Sequence, residues 1–173
     1  MNPKAVKAAL AAAKRIQKEA ARVGRPPVEI TTSPNEPVLP SSLFKGTRGY
    51  IEKIVIQINR TYEHTCYDAC AVMMRRLVEV LIIEAFEHHG ISKKIQDASG
   101  DFFYLQNLIA AALAEPAWSL GRNTKRGLGG LKTLGDQSAH SRRYNARRTY
   151  VDDVIIDLRT VSEEFLYLAG LRN

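Results

Sequence analysis

Two cysteines, one tryptophan and no apolar run of membrane length set the first limits on this chain. A small secreted fold short of core carries several cysteine pairs. Cys66 and Cys70, alone and four residues apart in an apolar helical pattern, instead read as buried thiols on one helix face, in a reducing compartment. A membrane span needs about 18 or more consecutive apolar residues, and the Ala/Lys-rich N-terminus has no hydrophobic signal core. The expectation is a cytoplasmic protein with no membrane contact. Phosphate-binding glycine loops, dinucleotide fingerprints, serine-nucleophile motifs and internal repeats are missing too. A metal held by Cys66, Cys70 and a histidine fails on geometry, because His88 lies too far along the same straight helix to supply a third ligand. No metal and no cofactor are expected.

Acidic residues are scarce in two places, and there the charge is informative. Residues 1–25 hold seven basic side chains against Glu19 alone, a net +6, and residues 122–148 hold eight against Asp136 alone, a net +7. The whole chain is only +7, so the remainder is −6. A pI of about 9.5 therefore reports two local patches on an otherwise acidic body, and polyanions are the partners such patches fit.

Proline is confined as well: five of the seven fall between Pro26 and Pro40, among Thr, Ser and Asn. This divides the chain into a basic Ala/Lys-rich helix over 1–24, a Pro-rich linker over 25–46 and a helical domain over 47–173. The first helix has only a thin apolar stripe (Val6, Leu10, Ala13), too little to dock firmly. In the domain, Ile51, Ile54, Val55, Ile58 and Tyr62 recur at threes and fours and predict a helix over 48–63. A second, over 65–89, is about 37 Å long and apolar around more than half its circumference, as a central helix must be, with Gly90 as its stop. Ser99-Gly100-Asp101 offers a cap for a third helix, Phe102 to Ala114, ended by Pro116. The glycine-rich stretch 120–134 keeps Leu128, Leu131 and Leu134 on one face. The last helix is a clean amphipath from Val151 to Leu168. The fold class is all-α, a bundle of four to five helices with the basic N-terminal helix separate.

Two motifs stand out from this background. The central helix carries Arg75-Arg76-Leu77-Val78-Glu79, and a later helix closes on Gly135-Asp136-Gln137-Ser138-Ala139-His140. Together they resemble the HEPN superfamily of α-helical nucleic-acid-associated domains, and above all its branch with an R-x-x-x-E helix packed against a helix ending in G-N-x-x-A-H; the resemblance covers about Tyr50 to Leu171. It implies a HEPN-like bundle with the two motifs on facing helices. Catalytic members of that superfamily are metal-independent ribonucleases with an Arg shortly before the His. Here that window holds Thr133, Leu134 and Gly135, and Asp136 stands where the pattern has Asn.

The candidate residues follow. Arg75 and Glu79, four apart on a mostly enclosed helix, are expected to be partly desolvated and to draw a further partner from Asp136 or His140, forming a structural polar network worth about 3 kcal/mol when one member is removed. His140 either caps its helix or acts as the general acid or base of RNA cleavage, with Lys132, Arg142 or Arg143 as the only nearby cations. Arg142, Arg143, Tyr144, Arg147 and Arg148, where Tyr144 and Tyr150 interleave with arginines, suit phosphates and unpaired bases. Lys14, Arg15, Lys18 and Arg22 form the second basic segment. The leading reading is a nucleic-acid-binding protein, RNA favoured, or an accessory of a nuclease or defence-type system. A metal-independent endoribonuclease using His140 is one alternative; a module that engages a protein partner or a second copy of itself, docking through the N-terminal helix, is the other.

Overall fold

The computed structural model describes residues 38–172, which form an all-α bundle. The helices are α1 (Ser41–Phe44), α2 (Gly49–Glu63), α3 (Tyr67–His88), α4 (Leu105–Ala114), α5 (Arg122–His140) and α6 (Arg148–Leu168), with a 3-10 turn at Ser92–Ile95. Among the described residues the only extended pairing is an isolated bridge between Gln96 and Phe102. No described helix is long and apolar enough to cross a membrane. The helix expected over 1–24 and the expected linker as far as residue 37 lie outside the described residues.

α3 is the hub, packed against α2, α4, α5 and α6. It can face so many neighbours because Cys70, Met74, Leu77, Val78, Leu81, Ile82 and Phe86 are buried around much of its girth. Its C-terminus closes as the sequence reading has it: Gly90 adopts φ +69°, and the Ile91 amide bonds the Phe86 carbonyl at 3.0 Å. Its N-terminus begins later than the pattern suggested. Thr65 turns the chain at φ +59°, a costly conformation for a β-branched residue, and Cys66 is left at the cap position. Cys66 is consequently exposed, not buried as expected, while burial pushes the Cys70 thiol up to about 11.

Two further expectations are corrected. Residues 38–46, read as the end of the linker, belong to the packed domain. Val38, Leu39 and Phe44 are buried, the Asn59 side chain clasps both the N–H (3.0 Å) and the C=O (2.8 Å) of Leu39, and Arg159 donates to the Val38 carbonyl at 2.7 Å. The third core helix starts at Leu105, because Ser99 and Asp101 donate their amides to the Asp97 carboxylate instead of capping a helix.

The glycine-rich stretch forms the uninterrupted first two-thirds of α5. Its glycines divide into two kinds. A Cβ on Gly135 would stand 2.5 Å from Arg75 Cβ on α3, and one on Gly127 would stand 2.9 Å from Asp157 Cβ on α6, so these two let α5 lie close against both neighbours. Gly129 and Gly130 face open space. Gly129→Ala should therefore stabilise the protein by about 0.5–1 kcal/mol through helix propensity, whereas Gly135→Ala should destabilise it by about 1–3 kcal/mol through overpacking. Denaturant melts of both variants check the pair; equal effects of one sign would refute the division.

Candidate nucleic-acid interface

The close seat at Gly135 brings the two motif helices together at their polar residues. Arg75 Nε donates to Asp136 Oδ1 at 2.7 Å, and an Arg75 terminal nitrogen lies 3.4 Å from Glu79 Oε2. Lys132, one turn before Asp136, reaches Oδ2 at 2.6 Å. Both carboxylate oxygens are thus taken by cations, from α3 on one side and from α5 itself on the other. An Asn at this position would turn an amide N–H₂ towards one of them, which accounts for Asp where the HEPN pattern has Asn. Burial pushes the Asp136 carboxyl up, but the hydrogen bonds from Lys132 and Arg75 outweigh it and hold it below the usual carboxylate range.

The network is less enclosed than its place on the central helix implied. The side chains of Arg75, Asp136 and Glu79 remain 23, 30 and 34% exposed, because this turn of α3 opens towards solvent beside α5. Glu79 is its weakest member, with the longest contact. The 3 kcal/mol expected for Glu79 therefore falls towards the few tenths of a surface pair, and the cross-helix bond to Asp136 carries more. Lys132 was readable as a member from its i, i+4 spacing.

The segment joining α5 to α6 displays the arginines. Arg142, Arg143 and Arg147 are exposed and make no ion pair among the described residues. Their loop is nonetheless held at several points. The Ala146 amide donates to Asp68 at the start of α3 (2.9 Å), and Tyr144 packs partly buried against the core, its ring stacked on Tyr150 with centroids 6.1 Å apart. Tyr144 is thus spent on anchoring the loop, and one face of Tyr150 is spent with it. The expected platform for unpaired bases is reduced to the outer face of Tyr150.

Arg148 differs from its neighbours. Its Nε donates to the Tyr62 hydroxyl at 3.0 Å and lies 3.5 Å from Asp152, and its guanidinium sits 5.5 Å from the Tyr62 ring centre. The Tyr62 hydroxyl in turn donates to Asp152. This cluster fastens the start of α6 to the end of α2, so Arg148 supports the loop from below while its outer edge stays exposed. Sequence reading could not find Tyr62 and Asp68 as anchors, since they lie far back in the chain from the residues they hold.

His140 ends α5, exposed, with no side-chain hydrogen bond or ion pair among the described residues; it is not part of the Arg75 network. None of Thr133, Leu134 and Gly135 supplies a cation before it: Leu134 is buried, Gly135 is covered by Arg75, and the exposed Thr133 hydroxyl bonds the Gly129 carbonyl. Lys14, Arg15, Lys18 and Arg22 lie outside the described residues.

Because the folded Asp136 pKa is depressed, its contribution to stability is complete above the ordinary Asp value of about 4 and is lost as pH falls through the lower folded value. Asp136→Asn should cost about 1 kcal/mol at pH 7, between an exposed and a buried pair, and progressively less in acid. Melting curves of the parent and the variant at pH 7 and pH 3 test this; a gap that widens in acid contradicts it. No family model matches this chain, and no curated protein or solved structure matches it either.

Proposed function

We propose that this protein is a HEPN-like nucleic-acid-binding domain that holds RNA by its phosphates through the loop between α5 and α6, acting on its own or as an accessory to a nuclease or defence-type system. One observation carries the reading. Arg142, Arg143 and Arg147 carry free charges on a loop fixed by Asp68 and by the Tyr144–Tyr150 stack. Arginines on slack chain lose much of their binding energy to ordering, and a loop already anchored avoids that loss. The +6 of residues 1–25 supplies a second source of phosphate contacts. Support for the HEPN-like assignment comes from the Arg75 helix facing the Gly135–His140 helix, which is the arrangement the resemblance requires.

Cleavage is left out of this function, since His140 has no arginine at the position ribonucleases of the superfamily use. Binding and cleavage separate cleanly in experiment. Neutralising Arg142, Arg143 and Arg147 together should weaken RNA binding and flatten the log–log salt dependence by about 2 to 3, because each released phosphate contact contributes about 0.7 to 0.9. His140→Ala should leave affinity nearly unchanged. Gel-shift titrations at two salt concentrations measure both, and unchanged affinity and slope in the triple variant would refute the reading. RNA cleavage by the parent that survives chelator and vanishes in His140→Ala would install the ribonuclease instead.

A further inference from the structure

The outward face of α5 runs directly into the arginine loop, and its composition is unusual for a solvated helix. Arg122, Lys125 and Arg126 open the row, all exposed, with only Arg126 near an acid, Asp157 at 3.8 Å. Gly129 and Gly130 form the middle, where no side chain projects. His140 ends the row, about 27 Å from Arg122 at 1.5 Å per residue, and Arg142 and Arg143 follow. The single acid of α5, Asp136, stands half-buried at its edge, with both oxygens held by Arg75 and Lys132. The result is a straight ridge with basic residues at both ends, a glycine saddle at Gly129 and Gly130, and the short uncharged side chains of Thr133 and Gln137 beyond it.

The ridge also has no aromatic residue, and the Tyr144 ring beside it is packed away. Single-stranded nucleic acid is bound without sequence preference by pairing cations with stacking platforms. A duplex keeps its bases inside and offers phosphates, and in RNA a shallow minor groove edged by 2′-hydroxyls. A surface with cations at both ends and only the outer face of Tyr150 left for stacking matches the second partner better. Resting on the nucleic-acid reading above, we infer that the outer face of α5 and the arginine loop form one continuous seat for double-stranded RNA. One phosphate strand meets Arg122 and Lys125, the other meets Arg142 and Arg143, and the groove edge lies on the Gly129–Gly130 saddle, where any side chain would hold it away.

Fluorescence anisotropy on the full chain tests this with three probes of equal length, about 20 residues per strand: duplex RNA, its single strand and duplex DNA. Duplex RNA should bind about tenfold more tightly than the single strand and ahead of duplex DNA. Arg122→Glu with Lys125→Glu should lower duplex RNA affinity about tenfold and affect the single strand much less. Gly129→Gln with Gly130→Gln changes no charge and adds side chains only where there is space. It should lower duplex affinity about fivefold without lowering the melting temperature. Single strand bound as tightly as duplex, or ridge variants that bind like the parent while loop variants do not, would overturn the duplex seat and leave the loop reading standing. DNA ahead of RNA would overturn the RNA assignment. Loss of no affinity in either ridge or loop variants would remove the nucleic-acid reading itself.

Discussion

The face that α5 turns to solvent depends on how closely this helix lies against α3. Gly135 permits that approach, because Arg75 Cβ occupies the space its own Cβ would need. At this separation Arg75 Nε meets Asp136 directly, and Lys132 completes the carboxylate from the other side. The apolar core supplies most of the burial and, through Leu128, Leu131 and Leu134, sets which side of α5 faces inward, leaving only the fine rotation about its axis open. Steric contact at Gly135 and a directional charge-assisted hydrogen bond at Asp136 together fix that rotation. With it fixed, Leu128 and Leu131 point inward and Arg122, Lys125, Gly129 and Gly130 point outward.

The same network removes negative charge from the exposed side. An unpaired Asp136 beside the outer row would attract its cations and repel a polyanion. Held between Arg75 and Lys132, it does neither. The arginine loop follows a related economy of roles: Arg148 and Tyr144 are committed to anchoring, through Tyr62, Asp152 and Tyr150, while Arg142, Arg143 and Arg147 stay free. Three uncompensated guanidinium groups on a fixed loop repel one another and concentrate positive potential there.

Within the sequence, periodicity alone located the four long helices to within a few residues, since each carries an apolar stripe deep enough to be read without context. What failed were local signals overruled from a distance. The segment 38–46, read as linker, packs because Val38, Leu39, Leu43 and Phe44 enter the core while Asn59 and Arg159 satisfy its backbone; the Ser99–Asp101 cap signal is captured by Asp97; Cys66 falls outside its helix because Thr65 turns the chain first.

The identity of the candidate site divides along the same line. Local pattern and composition by themselves determined the all-α class and the two basic segments, because periodicity and charge are properties of neighbouring residues. Tertiary structure alone decided which basic residues are free. Arg142 and Arg148 look alike in the sequence, yet one is unpaired and the other is tied to Tyr62 and Asp152. Gly135 and Gly129 look alike too, yet one seats a neighbouring helix and the other stands open. Apart from the i, i+4 contact of Arg148 with Asp152, these distinctions rest on contacts between residues some sixty to ninety positions apart, and no local pattern of side chains encodes such a distance.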